Sequence, residues 1–94
     1  MRAAVYFLEK KNLDTEDTLS KMKKYFVKQD WELFGVYIDN NNKHDGLMEL
    51  VTKIFSEIDI LYVYSLTDIN DDFYWDLLIQ SAKIENVQII EYKK

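Results

Sequence analysis

Hydrophobic and polar residues alternate between two patterns along this chain. Residues 3–8 form a short, nearly continuous apolar run, which is typical of a strand buried on both faces of a sheet. Similar runs at residues 31–38, 58–64 and 87–92 predict three further strands. Turn-forming residues at 39–42 follow the second run and mark its end.

The segments between these runs carry apolar residues at helical spacing, three and four positions apart. The acidic stretches 14–17 and 71–72 supply capping groups and negative charge for the starts of the first and third helices. The apolar positions are Leu19, Met22 and Phe26 in the first helix, Leu47, Leu50, Val51, Ile54 and Phe55 in the second, and Tyr74, Leu77, Leu78 and Ala82 in the third.

The resulting order is βαβαβαβ, which predicts an α/β fold with a parallel sheet and right-handed crossovers. Ligands of such open sheets bind beyond the carboxyl ends of the strands. Residues 9–15, 39–46 and 65–72 follow the first three strands, so these are the segments in which we expect functional groups.

Composition limits the class of protein. The 94 residues contain no cysteine and no proline, and no linker divides them, so we expect one domain over residues 1–94. No apolar run approaches a signal peptide or a membrane span, and we expect a cytoplasmic protein. The net charge is −5, Arg2 is the only arginine, and the lysines form just one short cluster, at residues 21–24. This charge distribution disfavours direct nucleic-acid binding.

Three phrases of the sequence resemble a known family. They are RAAVY at residues 2–6, QDWELFGVYID at 29–39 and DILYVYSL at 59–66. They are similar to the N-terminal catalytic domain of resolvase/invertase-type serine recombinases, which reads R-A-A-I-Y-x-R-V-S, then G-W-E-x-x-x-x-Y-x-D, then F-D-x-x-x-V-x-S-L-D-R-L-x-R. The resemblance covers nearly the whole chain. It implies a three-layer αβα sandwich with a four-stranded, mostly parallel sheet of order 2-1-3-4, three helices, and a role in DNA recombination.

The residues that perform the family's chemistry are missing. In that family a serine attacks the DNA phosphate, and arginines stabilise the charge on its oxygens. This chain has Leu8 at the first arginine position and Lys10 at the serine position, and it has Asp68 and Asp71 at the two arginine positions after the third strand. The arginine before the second helix is also absent, where Asp45 lies nearby.

The charge reversal at Asp68 and Asp71 would repel a phosphate, because like charges about 4 Å apart near a surface interact by roughly 4 kcal/mol. Asp39 is the one acidic residue that matches the family. The chain also ends at the fourth strand, so we expect neither a dimerisation helix nor a DNA-binding domain. We therefore predict no catalytic residues, and a candidate functional surface consisting of Glu9, Lys10, Asp39, Asp68 and Asp71.

Other chemistry stays open at this point. Ser65, at a strand end, is either a substitute nucleophile or a turn residue, and His44 is either a zinc ligand or a solvated loop residue. The sequence has no glycine-rich phosphate loop, and we predict no cofactor and no metal. The alternative is a metal-dependent enzyme whose strand-end carboxylates hold Mg²⁺, with Glu9, Asp39, Asp68, Asp71 and Asp72 as ligands.

Three consecutive aromatic residues, Phe73, Tyr74 and Trp75, open the third helix. Consecutive helical residues cannot all face the core, so at least one is exposed or meets a partner, and we predict these three residues as a candidate interface. We interpret the chain as an inactive recombinase-like domain that binds a protein partner or itself as a regulatory module and is linked to a mobile element or prophage recombination system. The remaining alternative is a recombinase remnant that keeps some DNA contact.

Overall fold

The computed structural model describes residues 1–11, 14–40 and 43–92. Within these residues the strands are β1 (Arg2–Leu8), β2 (Glu32–Asp39), β3 (Ile60–Val63) and β4 (Gln88–Glu91), and the helices are α1 (Thr15–Gln29), α2 (Asp45–Glu49) and α3 (Asp72–Glu85). The strands form one sheet of order β2-β1-β3-β4, and every neighbouring pair is parallel. The predicted element order and strand order are confirmed.

The second helix differs from the regular helix that its apolar stripe predicts. Its α-helical part ends at Glu49, and the chain continues as one π-helical turn (Leu50–Ile54) and one 3₁₀ turn (Phe55–Glu57). The Phe55 N–H donates to the Leu50 carbonyl, five residues back. An α-helix would turn residues five apart away from each other, whereas the wider turn lets Leu50 and Phe55 both lie in the core.

Successive residues of β1 point to opposite faces of the sheet, and each face has its own core. Ala3 and Val5 pack beneath α1, together with its Met22 and Phe26. On the opposite face the core residues from α2, the turns that follow it and α3 pack against the strands, and they include Ala4, Tyr6, Leu47, Leu50, Phe55, Leu61 and Leu78. The helices therefore form two layers around the sheet, as the three-layer prediction requires.

Helix ends follow the predicted capping pattern. The Asp14 carboxylate accepts a hydrogen bond from Asp17 N at 3.0 Å, and Asp71 caps α3 by accepting from Phe73 N at 2.9 Å. At the carboxyl ends, Asp30 and Asn86 adopt left-handed backbone conformations with φ of 58° and 57°. None of the helices in the described ranges has the length and apolar character needed to cross a bilayer.

Candidate functional site

Asp39 ends β2 and is the central carboxylate of the candidate site. Its side chain is 4% exposed and accepts three hydrogen bonds. The Tyr6 hydroxyl donates to it at 2.8 Å, Gly46 N at 2.6 Å and Leu47 N at 3.1 Å. Two of these donors are N–H groups in the first turn of α2, whose own N-cap residue, His44, provides no side-chain hydrogen bond. Asp39 therefore accepts from backbone N–H groups that have no partner within α2, and its negative charge interacts favourably with the positive end of that helix.

Gly46 allows this close approach. A Cβ atom at position 46 would lie 2.9 Å from Asp39 Oδ1, closer than real Cβ contacts allow. Glycine is otherwise unfavourable inside a helix by about 1 kcal/mol relative to alanine. Its presence in the first turn of α2 is explained by the carboxylate that lies against the backbone there.

Lys10 and Asp68 form an ion pair beyond the ends of β1 and β3. The Lys10 ammonium lies 2.5 Å from Asp68 Oδ1. The Lys10 side chain is half exposed, whereas the Asp68 side chain is only 3% exposed. The second oxygen, Asp68 Oδ2, is buried and has no hydrogen-bond partner among the described residues. Lys10 is thus the cation that compensates a nearly buried carboxylate.

Tyr6 connects these groups electrostatically. Its ring is buried, and its hydroxyl is directed at Asp39. Burial, the hydrogen bond to Asp39 and the negative charges of Asp39 and Asp68 together raise the pKa of Tyr6 far above its ordinary value. The phenol therefore stays protonated and acts as a hydrogen-bond donor.

The predicted functional surface is only partly assembled. Lys10, Asp39 and Asp68 lie around Tyr6, but two other carboxylates are directed elsewhere. Glu9 accepts a hydrogen bond from the Thr15 hydroxyl at 3.0 Å, and Asp71 accepts from the first N–H groups of α3. Within the part of the chain that the structure describes, no three histidine or acidic side chains are grouped closely enough to hold a metal ion.

Ser65 and His44 were the alternative reactive groups. Ser65 is 8% exposed, and its hydroxyl hydrogen-bonds with that of Thr67 at 2.8 Å, an arrangement that suits a turn residue. His44 lies in the loop before α2, as expected, but it is half-buried rather than fully solvated. Its ring stacks on Tyr74 with centroids 3.9 Å apart and planes 8° apart, because α3 passes beside the start of α2.

The aromatic triplet at the start of α3 divides between core and surface. Phe73 is 66% exposed. Tyr74 and Trp75 are half-buried and pack against the core beneath α2 and α3. Of the three predicted interface residues, only Phe73 has most of its surface accessible to a partner.

Sequence reasoning did not assign Tyr6 or Gly46 to the site. A tyrosine inside an otherwise apolar buried strand was a usable signal, because a buried hydroxyl needs a hydrogen-bond partner. For Gly46 the signal was its position inside a helix, where glycine needs a packing reason. Their common partner, Asp39, could not be identified without the tertiary structure.

Comparisons with known proteins identify solved structures of the same fold. No family model matches the chain, and no curated protein matches it. Solved structures do match. The C-terminal catalytic domain of ISC1926 TnpA, an IS607-like serine recombinase, aligns with a TM-score of 0.78 at 18% identity, over 100% of this chain and 71% of that one. The N-terminal catalytic domain of TP901-1 integrase aligns with a TM-score of 0.78 at 16% identity, over 97% and 76%. The chain has the fold of a serine recombinase catalytic domain, as its sequence phrases indicate.

Proposed function

We propose that this resolvase-like domain does not cleave DNA and acts instead as a regulatory module that associates through protein contacts. The observation that carries the proposal is the ion pair between Lys10 and Asp68. By resemblance these positions would hold the serine nucleophile and an arginine, and here they compensate each other. The setting that we propose is a bacterial mobile element or prophage, by analogy with the serine recombinase and the integrase whose catalytic domains have the same fold.

The charges around the strand ends support the proposal that the domain does not cleave DNA. The Lys10 charge is already matched by Asp68, and the unpaired oxygen Asp68 Oδ2 adds negative potential that disfavours a phosphate. Asp39 is engaged by three donors and contributes to the stability of α2 rather than to a reaction. No guanidinium group lies in the described segments after β1 and β3, because the only arginine, Arg2, is at the start of β1.

A covalent trapping experiment tests catalytic silence. The protein is incubated with nicked duplex substrates that trap a protein–DNA ester, and the products are resolved on denaturing gels beside an active serine recombinase catalytic domain. We expect no adduct from this chain. An adduct that disappears in Ser65→Ala would overturn the proposal and identify Ser65 as the nucleophile, and an adduct that persists in that variant would overturn it as well.

The surface best suited to protein contact is β2, which lies at one edge of the sheet. Leu33, Phe34 and Ile38 are each about two-fifths exposed. The strand carries no charged residue between Glu32 and Asp39, and it contains no proline. Natural edge strands usually carry charges, proline or a β-bulge to prevent pairing. In β2 the register shifts once, between Leu33 and Gly35, and the regular apolar stretch beyond it favours strand addition.

The occupant that we propose for this edge is β2 of a second copy. The Asp39 carbonyl accepts from Glu9 N at 2.7 Å, so the backbone groups of Asp39 face β1. Peptide groups alternate along a strand, and those of Val36 and Ile38 therefore point away from the sheet. Antiparallel pairing about Val36 places Phe34 of one copy opposite Ile38 of the other, which forms an apolar, self-complementary contact.

Sedimentation velocity distinguishes this contact from others. We expect a dimer with a dissociation constant tighter than about 100 μM, or roughly −5.5 kcal/mol. Val36→Pro removes an outward-facing N–H without touching the pairing with β1, so it should give a folded monomer. Phe73→Ser is the matched control and should remain dimeric. A monomeric wild type, or a dimer abolished by Phe73→Ser and retained by Val36→Pro, contradicts the proposed edge contact without bearing on catalytic silence.

A further inference from the structure

One face of the sheet is only partly covered. Four strands about 4.8 Å apart span roughly 14 Å between their outer axes, and a helix with its side chains is roughly 10–12 Å wide. The core beneath α1 receives helical residues from α1 alone, whereas the opposite core receives them from α2, the turns after it and α3. Beside α1, above β3 and β4, the structure has a cavity of about 260 Å³.

The floor of this cavity is aromatic. Tyr62 of β3 lines it although its residue surface is only 2% exposed. The Tyr25 ring stacks on Tyr62 with centroids 5.1 Å apart, and Tyr92 meets it edge-on at 6.1 Å. Ile90 completes the apolar lining. A planar ring is the kind of ligand that such a surface accommodates.

The floor also presents one polar group. Among the described residues the Tyr62 hydroxyl has no hydrogen-bond partner, and it does not belong to the enclosed unpaired atoms, so it is open to the cavity that Tyr62 lines. Burial, with smaller contributions from Tyr25 and Tyr92, raises the pKa of Tyr62 to about 12. The hydroxyl therefore remains protonated at neutral pH and can donate to a ligand in the cavity.

One wall of the cavity is positively charged. Lys21, Lys24 and Lys28 follow one another along α1 at helical spacing, in a chain whose net charge is −5. Lys21 is paired with Asp17 at 3.0 Å, and no ion pair involves Lys24 or Lys28 among the described residues. Glu91 also lines the cavity, but its carboxylate accepts a hydrogen bond from Leu66 N at 2.8 Å.

We propose that this cavity binds a small planar aromatic anion. Its ring would lie against Tyr25 and Tyr92, and its carboxylate, sulfonate or phosphate group would face the ammonium groups of Lys24 and Lys28 and accept a hydrogen bond from Tyr62. Lys10, Asp39 and Asp68 do not line this cavity, and β4 is at the opposite edge of the sheet from β2. The inference therefore does not depend on the proposed function.

A matched pair of fluorescent probes, one anionic and one neutral, shows how much of the binding depends on the charge of the ligand and how much on its aromatic rings. The anionic probe is 1-anilinonaphthalene-8-sulfonate, and the neutral probe is N-phenyl-1-naphthylamine. We expect saturable binding of one sulfonate probe per chain, weakened about tenfold or more in Lys24→Gln/Lys28→Gln, because that variant loses both charge-assisted contacts. Binding of the neutral probe should change less than twofold in that variant. Lys53→Gln/Lys83→Gln, on the other helical layer, is the control and should bind both probes like the wild type.

Two further measurements locate the site and its preference. Amide chemical shifts during titration with the sulfonate probe should change around Tyr25, Tyr62 and Ile90, and Tyr62→Phe should weaken its binding several-fold. Benzoate and adenosine monophosphate should displace the probe, whereas inorganic phosphate at the same concentration should not. Non-saturable binding, shifts confined to the α2–α3 face, unchanged affinity in the double lysine variant, or displacement by phosphate alone would each overturn the inference.

Discussion

The strongest test of the strand-end interpretation is the substitution Asp39→Asn. It keeps the size of the side chain and removes its charge. In the native protein the carboxylate accepts from Tyr6, Gly46 and Leu47 at distances of 2.6 to 3.1 Å, and it is almost completely buried. An asparagine has one acceptor oxygen, and its amide N–H₂ would be directed at one of these donors.

The magnitude follows from the number of donors. A hydrogen bond to a charged group contributes about 1.5–3 kcal/mol, and a buried donor left without a partner costs about 1–3 kcal/mol. With one or two contacts retained by the amide oxygen, we expect the free energy of unfolding to fall by about 3 kcal/mol. For a domain of this size, that corresponds to a decrease in Tm of roughly 12–24 °C.

Urea denaturation followed by circular dichroism measures this loss, and Asp76→Asn on the exposed side of α3 is the control. The control should change stability by less than about 0.5 kcal/mol. A double-mutant cycle with Tyr6→Phe should give a coupling energy of about 1 kcal/mol or more, since the hydroxyl and the carboxylate are in direct contact. If Asp39→Asn lowers the free energy of unfolding no more than the control does, the carboxylate does not stabilise α2, and the reasoning for the whole strand-end site is refuted.

Three other predictions concern neighbouring groups. Lys10→Met should lower the free energy of unfolding by about 1–3 kcal/mol in urea titrations, because the nearly buried Asp68 loses its cation, and adding Asp68→Asn should restore most of it. Gly46→Ala should lower the Tm despite a gain in helix propensity of about 1 kcal/mol, since its Cβ would contact Asp39; an unchanged or higher Tm would contradict the close approach. Stability should decrease between pH 10 and 12, because burial raises the pKa of Tyr62 from its ordinary value to about 12 and the unfolded chain loses this proton first. Tyr62→Phe should flatten that decrease by up to about 1.4 kcal/mol per pH unit in denaturation curves, and an equally steep decrease in the variant would show that another group is responsible.

Part of the candidate site was accessible from sequence through resemblance alone. The phrases around β1, β2 and β3 identified the positions of Leu8, Lys10 and Asp68 without any structure. The resemblance predicted that Asp68 and Asp71 would both repel a phosphate, but the two carboxylates have different surroundings. Asp68 is paired with Lys10, and Asp71 caps α3. Such pairings join residues far apart in the chain, so local patterns do not reveal them.

The distinction between core and surface aromatics also needed the structure. Helical spacing requires at least one of Phe73, Tyr74 and Trp75 to be exposed but does not select which. The selection depends on how α3 crosses the other elements, and the stacking of His44 on Tyr74 is one consequence. The cavity beside α1 was equally inaccessible, because it depends on how much of the sheet one helix covers.

The sequence by itself determined the order of strands and helices, the buried character of β1 and the capping of α1 and α3. These features depend on interactions between residues within a few positions of one another, so periodicity and end-residue chemistry are sufficient to specify them. Tertiary structure decided which donors Asp39 accepts, which cation compensates Asp68 and where the Tyr62 hydroxyl lies. Those outcomes depend on distances between separate elements, and the packing of the whole domain sets these distances.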